Sequence, residues 1–215
     1  MKNTIKNTMI AAVILSTVCA GFVGCKKGEN DPFLSFRSRK GRVAGDWTVS
    51  AYKETQTQGS NTTTTNYDGT TWTETDPTGS PSTVTKTVTY TAKFEKDGKW
   101  SSNMHATWSE TIFSITTTYD ETETSSGTWN FTGGVGEEKN KSQLAMFTES
   151  YSDVKITTVA SNPPSTNTSS STATGSLAWP NVMDIDQLKN KEMILMWKGT
   201  DSGPTSVDGS MTLTQ

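Results

Sequence analysis

The sequence is short of the side chains that most often do chemistry. It holds one histidine, His105, and two cysteines, Cys19 and Cys25. A single histidine excludes a multi-histidine zinc site. No cysteine follows Cys25, so there is neither a disulfide framework nor a thiolate metal site. Arginine stops at Arg42. Apolar residues make up only 31% of the chain, against a usual ~45–50%, and Thr and Ser fill the deficit rather than charge. The formal net charge of −3 offers no basic face for neutralising phosphates, which argues against nucleic-acid binding. There is no P-loop, no C2H2 spacing and no ribonucleoprotein-type aromatic motif.

What is present reads as all-β. Thr is β-branched and suits solvent-facing strand positions. Seven Trp in 215 residues are too many aromatics for a disordered chain, which would also carry more net charge.

The N-terminus has three zones. Lys2 and Lys6 are followed by an apolar stretch over 9–18 and then by the small residues Ala20, Gly21 and Gly24. The apolar stretch is shorter than the ~20 residues of a membrane span and has the length of a signal peptide core. Cys25 then stands directly before Lys26 and Lys27. It is a core residue, a reactive thiol or an anchor; with no partner downstream, the disulfide reading falls away.

Phe22-Val23-Gly24-Cys25 resembles the lipobox of bacterial lipoproteins, with Phe22 where that motif usually has Leu. The resemblance implies a cleaved signal peptide over 1–24. It implies a Cys25 carrying diacylglycerol and a further acyl chain, such as palmitate, so that the membrane is the partner through acylated Cys25. Two or more chains hold a protein stably. The expected location is the cell envelope of a Gram-negative bacterium, anchored in the outer membrane. Residues 25–44 form the lipidated tether, whose part after Cys25 reaches at most roughly 65 Å when extended. Asp31-Pro32 is a good cap and first-turn pair and Gly41 a plausible stop, so a short helix is expected over 33–40. Arg37, Arg39, Lys40 and Arg42 form the one dense basic cluster. It is either an attraction for anionic headgroups or a set of arginines solvated or packed on the domain.

Gly45-Asp46-Trp47 opens a first strand in which Trp47, Val49 and Ala51 alternate with Thr48, Ser50 and Tyr52. Strands are also expected within 61–75, a polar region where Tyr67 and Trp72 are the few apolar residues. The clearest pattern lies in 82–108. Val84, Val88, Tyr90, Ala92 and Phe94 share one face, Asp97-Gly98 marks a hairpin, and Trp100, Met104, Ala106 and Trp108 continue the face. Further strands fit 111–121, 127–131 and 144–160. Residues 161–176 read as a loop by composition. Strands over 183–188 and 193–197 flank a turn at Lys189-Asn190-Lys191-Glu192, and 211–213 closes the chain. The spacing points to a sandwich or an up-and-down barrel.

Gly45-Asp46-Trp47, with a short helix before it, resembles the Gly-x-Trp signature of lipocalins. Residues 26–47 and the hairpin DIDQLKNKEMILMWKG resemble the two ends of bacterial lipocalin-like lipoproteins. The mid-chain Thr-Asp-Tyr-like motif and the late Arg of lipocalins have no clear copy. The resemblance implies a single antiparallel up-and-down barrel of about eight strands over 45–215. Since no Arg follows Arg42, any cationic lid on Trp47 must come from Arg39, Arg42 or a Lys such as Lys198, and the expectation is that the basic helix plugs one barrel end with an Arg over the Trp47 ring.

Chemistry is sparse. His105 falls on the polar face opposite Met104 and Ala106, with no recognised acid or nucleophile beside it. Asp120, Glu121 and Glu123, and the pair Glu137 and Glu138, are candidates for a glycosidase pair or calcium ligands. Without ligand spacing they read as solvated loop or strand-end charge. Asp184 and Asp186 alternate with Met183 and Ile185 and belong on an outer face. Most Trp are expected in the core, with Trp72 and Trp179 the best exposed candidates.

The reading is a non-enzymatic envelope lipoprotein with no cofactor and no metal, binding a small apolar or amphipathic ligand inside its barrel. Val88, Tyr90, Trp108 and Trp129 are the barrel-facing candidates for that ligand. The alternatives are a structural envelope protein with a filled barrel, and a surface glycan binder using exposed Trp.

Overall fold

A computed structural model describes residues 37–79, 81–133, 142–161, 163–175, 181–200 and 205–215. The expectations at residues 1–36, at Glu137 and Glu138, and at Trp179 lie outside the described residues.

Among the described residues, one short helix, α1 (Arg39–Val43), precedes eleven antiparallel strands. These are β1 (Gly45–Gln58), β2 (Asn61–Tyr67), β3 (Thr71–Thr75), β4 (Thr83–Phe94), β5 (Lys99–Ile112) and β6 (Ile115–Thr132). They continue with β7 (Gln143–Val159), β8 (Ser165–Thr174), β9 (Asn181–Leu188), β10 (Glu192–Thr200) and β11 (Thr205–Thr214). Ten strands close into a barrel, because β6 pairs with β7, β7 with β9 and β11 with β1. The eleventh, β8, pairs with β7 outside the ring. The expected eight strands are thus exceeded, and the reason is local. At its first residues β1 pairs directly with β4, Gly45 opposite Phe94 and Thr48 opposite Thr91. Only from Tyr52 onward does the β2–β3 hairpin insert between them.

Three other expectations are corrected. The described helix runs from Arg39 with Gly41 inside it rather than at its stop, and Ser38 is its cap, the Ser38 Oγ accepting from the Gly41 N–H at 3.0 Å; the part of the expected helix over 33–36 lies outside the described residues. The proposed strand at 111–121 spans the end of β5, the Phe113-Ser114 turn and the start of β6, and β6 runs on through Asp120, Glu121 and Glu123 to take in the proposed strand at 127–131. The proposed loop over 161–176 contains β8, whose Ser and Thr are almost all exposed. A strand with solvent on both faces needs no apolar alternation.

The end where α1 sits, the base, is filled. Val43, Trp47, Val49, Leu144, Leu188 and Leu213 are essentially inaccessible. Burying a side chain of this size contributes about 1.5–3 kcal/mol. The Trp47 indole donates to the Val43 carbonyl at 2.7 Å, locking the helix exit to the first strand. Arg39 and Arg42 are buried, and Arg42 donates to the Leu188 carbonyl. The Lys40 ammonium lies 5.7 Å from the Trp129 ring centre. The basic cluster therefore packs largely onto the domain. Lys198 pairs instead with Asp208 at 3.0 Å.

Candidate functional site

A β-bulge decides which side chains enter the barrel. Between Val49 and Ala51 the pairing of β1 with β11 slips by one residue. A bulge inserts one extra residue and so reverses the alternation beyond it. Trp47 and Val49 point inward before it; Tyr52 and Glu54 point inward after it. Simple alternation places Tyr52 on the outer face, and this is corrected: Tyr52 packs against the core.

Past the filled base lies a cavity of about 500 Å³, within the range of small-molecule sites. Tyr52, Tyr90, Trp100 and Trp197 supply aromatic walls, and Met146, Met183 and Met211 flexible apolar ones. Glu54 lines the same space, with Ser102, Ser125 and Thr148 on the far wall. The cavity reaches the surface beside Val182 and Lys198.

The Glu54 carboxylate is held by neutral donors. The Tyr52 hydroxyl donates to Oε2 at 2.8 Å, the Trp197 indole N–H to Oε2 at 3.1 Å, and the Gln56 amide to Oε1 at 2.8 Å. Burial first, and then the neighbouring Glu54 charge, push the Tyr52 phenol far above its ordinary value, so it stays a donor. Tyr52 in turn stacks on Trp72 at 5.0 Å and leans on Trp197 at 5.4 Å. Burial and the charge of Glu123 raise Tyr90, partly offset by a hydrogen bond from Ser102.

Further along the bore is an ion-pair cluster. Glu121 receives Lys86 at 3.6 Å and Lys155 at 3.8 Å. Both ammoniums also lie over the Trp108 ring, at 4.4 and 4.6 Å, and Trp108 stacks on Tyr119 at 4.6 Å. Glu121, Glu123 and Asp153 bring one carboxylate oxygen each within 4.8 Å of one another. Burial, then Glu121 and Asp153, raise the Glu123 carboxyl above its usual range, and Lys86 lowers it in part. The acidic residues over 120–123 are therefore not all solvated charge. Glu121 and Glu123 face inward, while Asp120 stays outside with His105 at 3.0 Å.

The four barrel-facing candidates divide. Tyr90 lines the cavity. Val88 and Trp129 are buried in the packed core, with Trp129 donating to the Glu95 carbonyl at 3.1 Å. Trp108 belongs to the ion-pair cluster, where it donates to Glu110 at 3.3 Å. Sequence reasoning missed Tyr52, Glu54, Trp100 and Trp197 as a group. The signal it had for them was the isolated Gly127 and Gly209 inside strands, which mark close approach of another group. Trp72, expected to be exposed, is half-buried between Tyr52 and Tyr67. Among the described residues no Trp is exposed.

The chain matches no protein-family model, no curated protein and no solved structure.

Proposed function

We propose that this chain is a non-enzymatic binding protein of the bacterial cell envelope. It is anchored through an acylated Cys25 and carries a small amphipathic ligand inside a lipocalin-like barrel. The observation that carries the reading is the cavity of about 500 Å³ walled by Tyr52, Tyr90, Trp100 and Trp197. Aromatic and methionine walls bury apolar surface, and a few convergent polar groups orient what they bury. The position of α1 at the filled base, immediately before Trp47, supports the lipocalin-like part of the reading. The sequence around Cys25 supports the anchor.

Two measurements test the two halves separately. A neutral fluorescent probe, N-phenyl-1-naphthylamine, titrated into the full chain should show saturable uptake at one site, quench Trp fluorescence and raise the unfolding temperature. Unsaturable or absent uptake would remove the ligand-carrying role. For the anchor, metabolic labelling with an alkynyl palmitate analogue should tag the wild-type chain and not Cys25→Ser. Equal labelling of both, or of neither, would remove the lipoprotein reading.

A further inference from the structure

The chemistry of the bore is more selective than an apolar pocket. We propose that the cavity prefers organic cations, namely amphiphiles bearing an ammonium group that sits against Glu54. This rests on the reading of the cavity as a ligand site and sharpens it to a class of ligand.

The first observation is Glu54 itself. Its three partners, Tyr52, Trp197 and Gln56, are neutral donors. They fix the carboxylate in place without cancelling its charge. Among the described residues no lysine or arginine pairs with it; Lys198, at the cavity's exposed rim, pairs with Asp208 at 3.0 Å. A fixed negative charge on a largely apolar wall is costly to desolvate unless a positive group meets it.

The second is the aromatic surface around that charge. Tyr52, Tyr90 and Trp197 line the same cavity. Ring faces carry negative quadrupole density and attract ammonium groups, more strongly when water is excluded. An anionic head would meet repulsion from both the rings and the carboxylate.

The third is that the barrel already uses this recipe elsewhere. At Trp108 two lysine ammoniums lie on the ring face while pairing with Glu121. Ring face plus carboxylate recurs at Trp197 and Glu54, and there it opens on the cavity. The sign of the interior agrees. Strand register and alternation turn Glu54, Glu74, Glu110, Glu121, Glu123 and Asp153 inward, against Lys86 and Lys155.

Three probes of equal chain length decide the matter: octyltrimethylammonium, 1-octanol and octanoate. Each is titrated below its aggregation concentration into the full chain carrying Cys25→Ser, with binding read by calorimetry and Trp fluorescence. Octyltrimethylammonium should bind roughly tenfold tighter than octanol, and octanoate weakest. In Glu54→Gln the cation should fall to about the affinity which that variant has for octanol, with its urea unfolding midpoint as the control for folding. If Glu54→Gln does not fold, the wild-type ranking alone decides. Equal binding of all three, or tighter octanoate, overturns the cation preference while leaving the ligand site standing. No binding by any of them overturns the ligand site as well.

Discussion

Trp197 on β10 reaches Glu54 on β1 across an intervening strand, and the residue it crosses is Gly209. The three stand in one row of the sheet, Trp197 opposite Gly209 and Gly209 opposite Glu54. Adjacent strands lie about 4.8 Å apart, so an indole spans the gap only by lying flat over the middle strand. A Cβ on Gly209 would sit 2.3 Å from the Trp197 ring. A related arrangement lies opposite. Trp100 on β5 pairs with Gly127 on β6, and its indole N–H donates to the Phe147 carbonyl on β7 at 3.1 Å. A Cβ on Gly127 would lie 1.9 Å from that carbonyl oxygen. Trp197 thus lies over Gly209, whereas the absent Cβ of Gly127 leaves room for the Phe147 carbonyl that Trp100 binds.

It follows that Gly209→Ala should lift the Trp197 indole, break its bond to Glu54 and push the ring into the cavity. Overpacking of this kind costs about 1–3 kcal/mol. Urea denaturation followed by Trp fluorescence checks it. Gly199→Ala, where an added Cβ meets nothing within 4 Å, is the matched control and should stay within about 0.5 kcal/mol of wild type. A Gly209→Ala variant as stable as the control would mean that the flat indole is not required.

The β5–β6 hairpin predicts a change of the opposite sign. Its two turn residues, Phe113 and Ser114, hold φ of 50° and 65°, the left-handed region in which Asn-Gly is favoured and an aromatic residue is not. The Phe113 side chain is also 95% exposed, so the strain is not offset by burial. Replacing Phe113-Ser114 with Asn-Gly should stabilise the domain by about 1 kcal/mol, read as a higher unfolding midpoint. A drop in stability would show that Phe113 makes a compensating contact.

Legibility in the sequence followed local contrast. β4 and β5 alternate sharply between Thr or Lys and apolar residues, and Asp97-Gly98 joins them where expected, the Glu95 amide donating to the Lys99 carbonyl at 2.8 Å. The C-terminal hairpin was readable for the same reason. What stayed hidden depends on partners far along the chain. Glu121 reads as surface charge until Lys86 and Lys155 are brought to it by register. β8 has no apolar face to betray it. The bulge near Ser50 carries no glycine or proline, so alternation runs through it unmarked, and the misplacement of Tyr52 hid the cavity. Gly209 was visible, but what crosses it was not.

Arg42 ties α1 to the β9–β10 turn by donating to the Leu188 carbonyl in a site sealed from water. Arg42→Ala leaves that buried carbonyl without this donor, which costs about 2 kcal/mol. Arg42→Lys restores a charge but not the planar fork of donors, so it should recover only part of the loss. Full recovery by lysine, measured by chemical denaturation, would show that charge alone matters at this position.

Glu123 makes the barrel's stability depend on pH in an unusual direction for a carboxylate. Its folded-state pKa is raised above 4.5, by burial first and then by Glu121 and Asp153. The folded chain therefore keeps this proton to higher pH than the unfolded chain does. Between the two pKa values the native state binds more protons, so stability falls as pH rises through that window and is regained as pH falls back towards 4.5. A thermal unfolding series should accordingly show the unfolding temperature falling as pH rises above 4.5. Glu123→Gln, which keeps the shape and removes the charge, should raise the unfolding temperature near neutral pH and flatten the slope above pH 4.5. The variant should match wild type most closely where Glu123 is already protonated. A slope unchanged by Glu123→Gln would show that this carboxyl does not set the pH dependence.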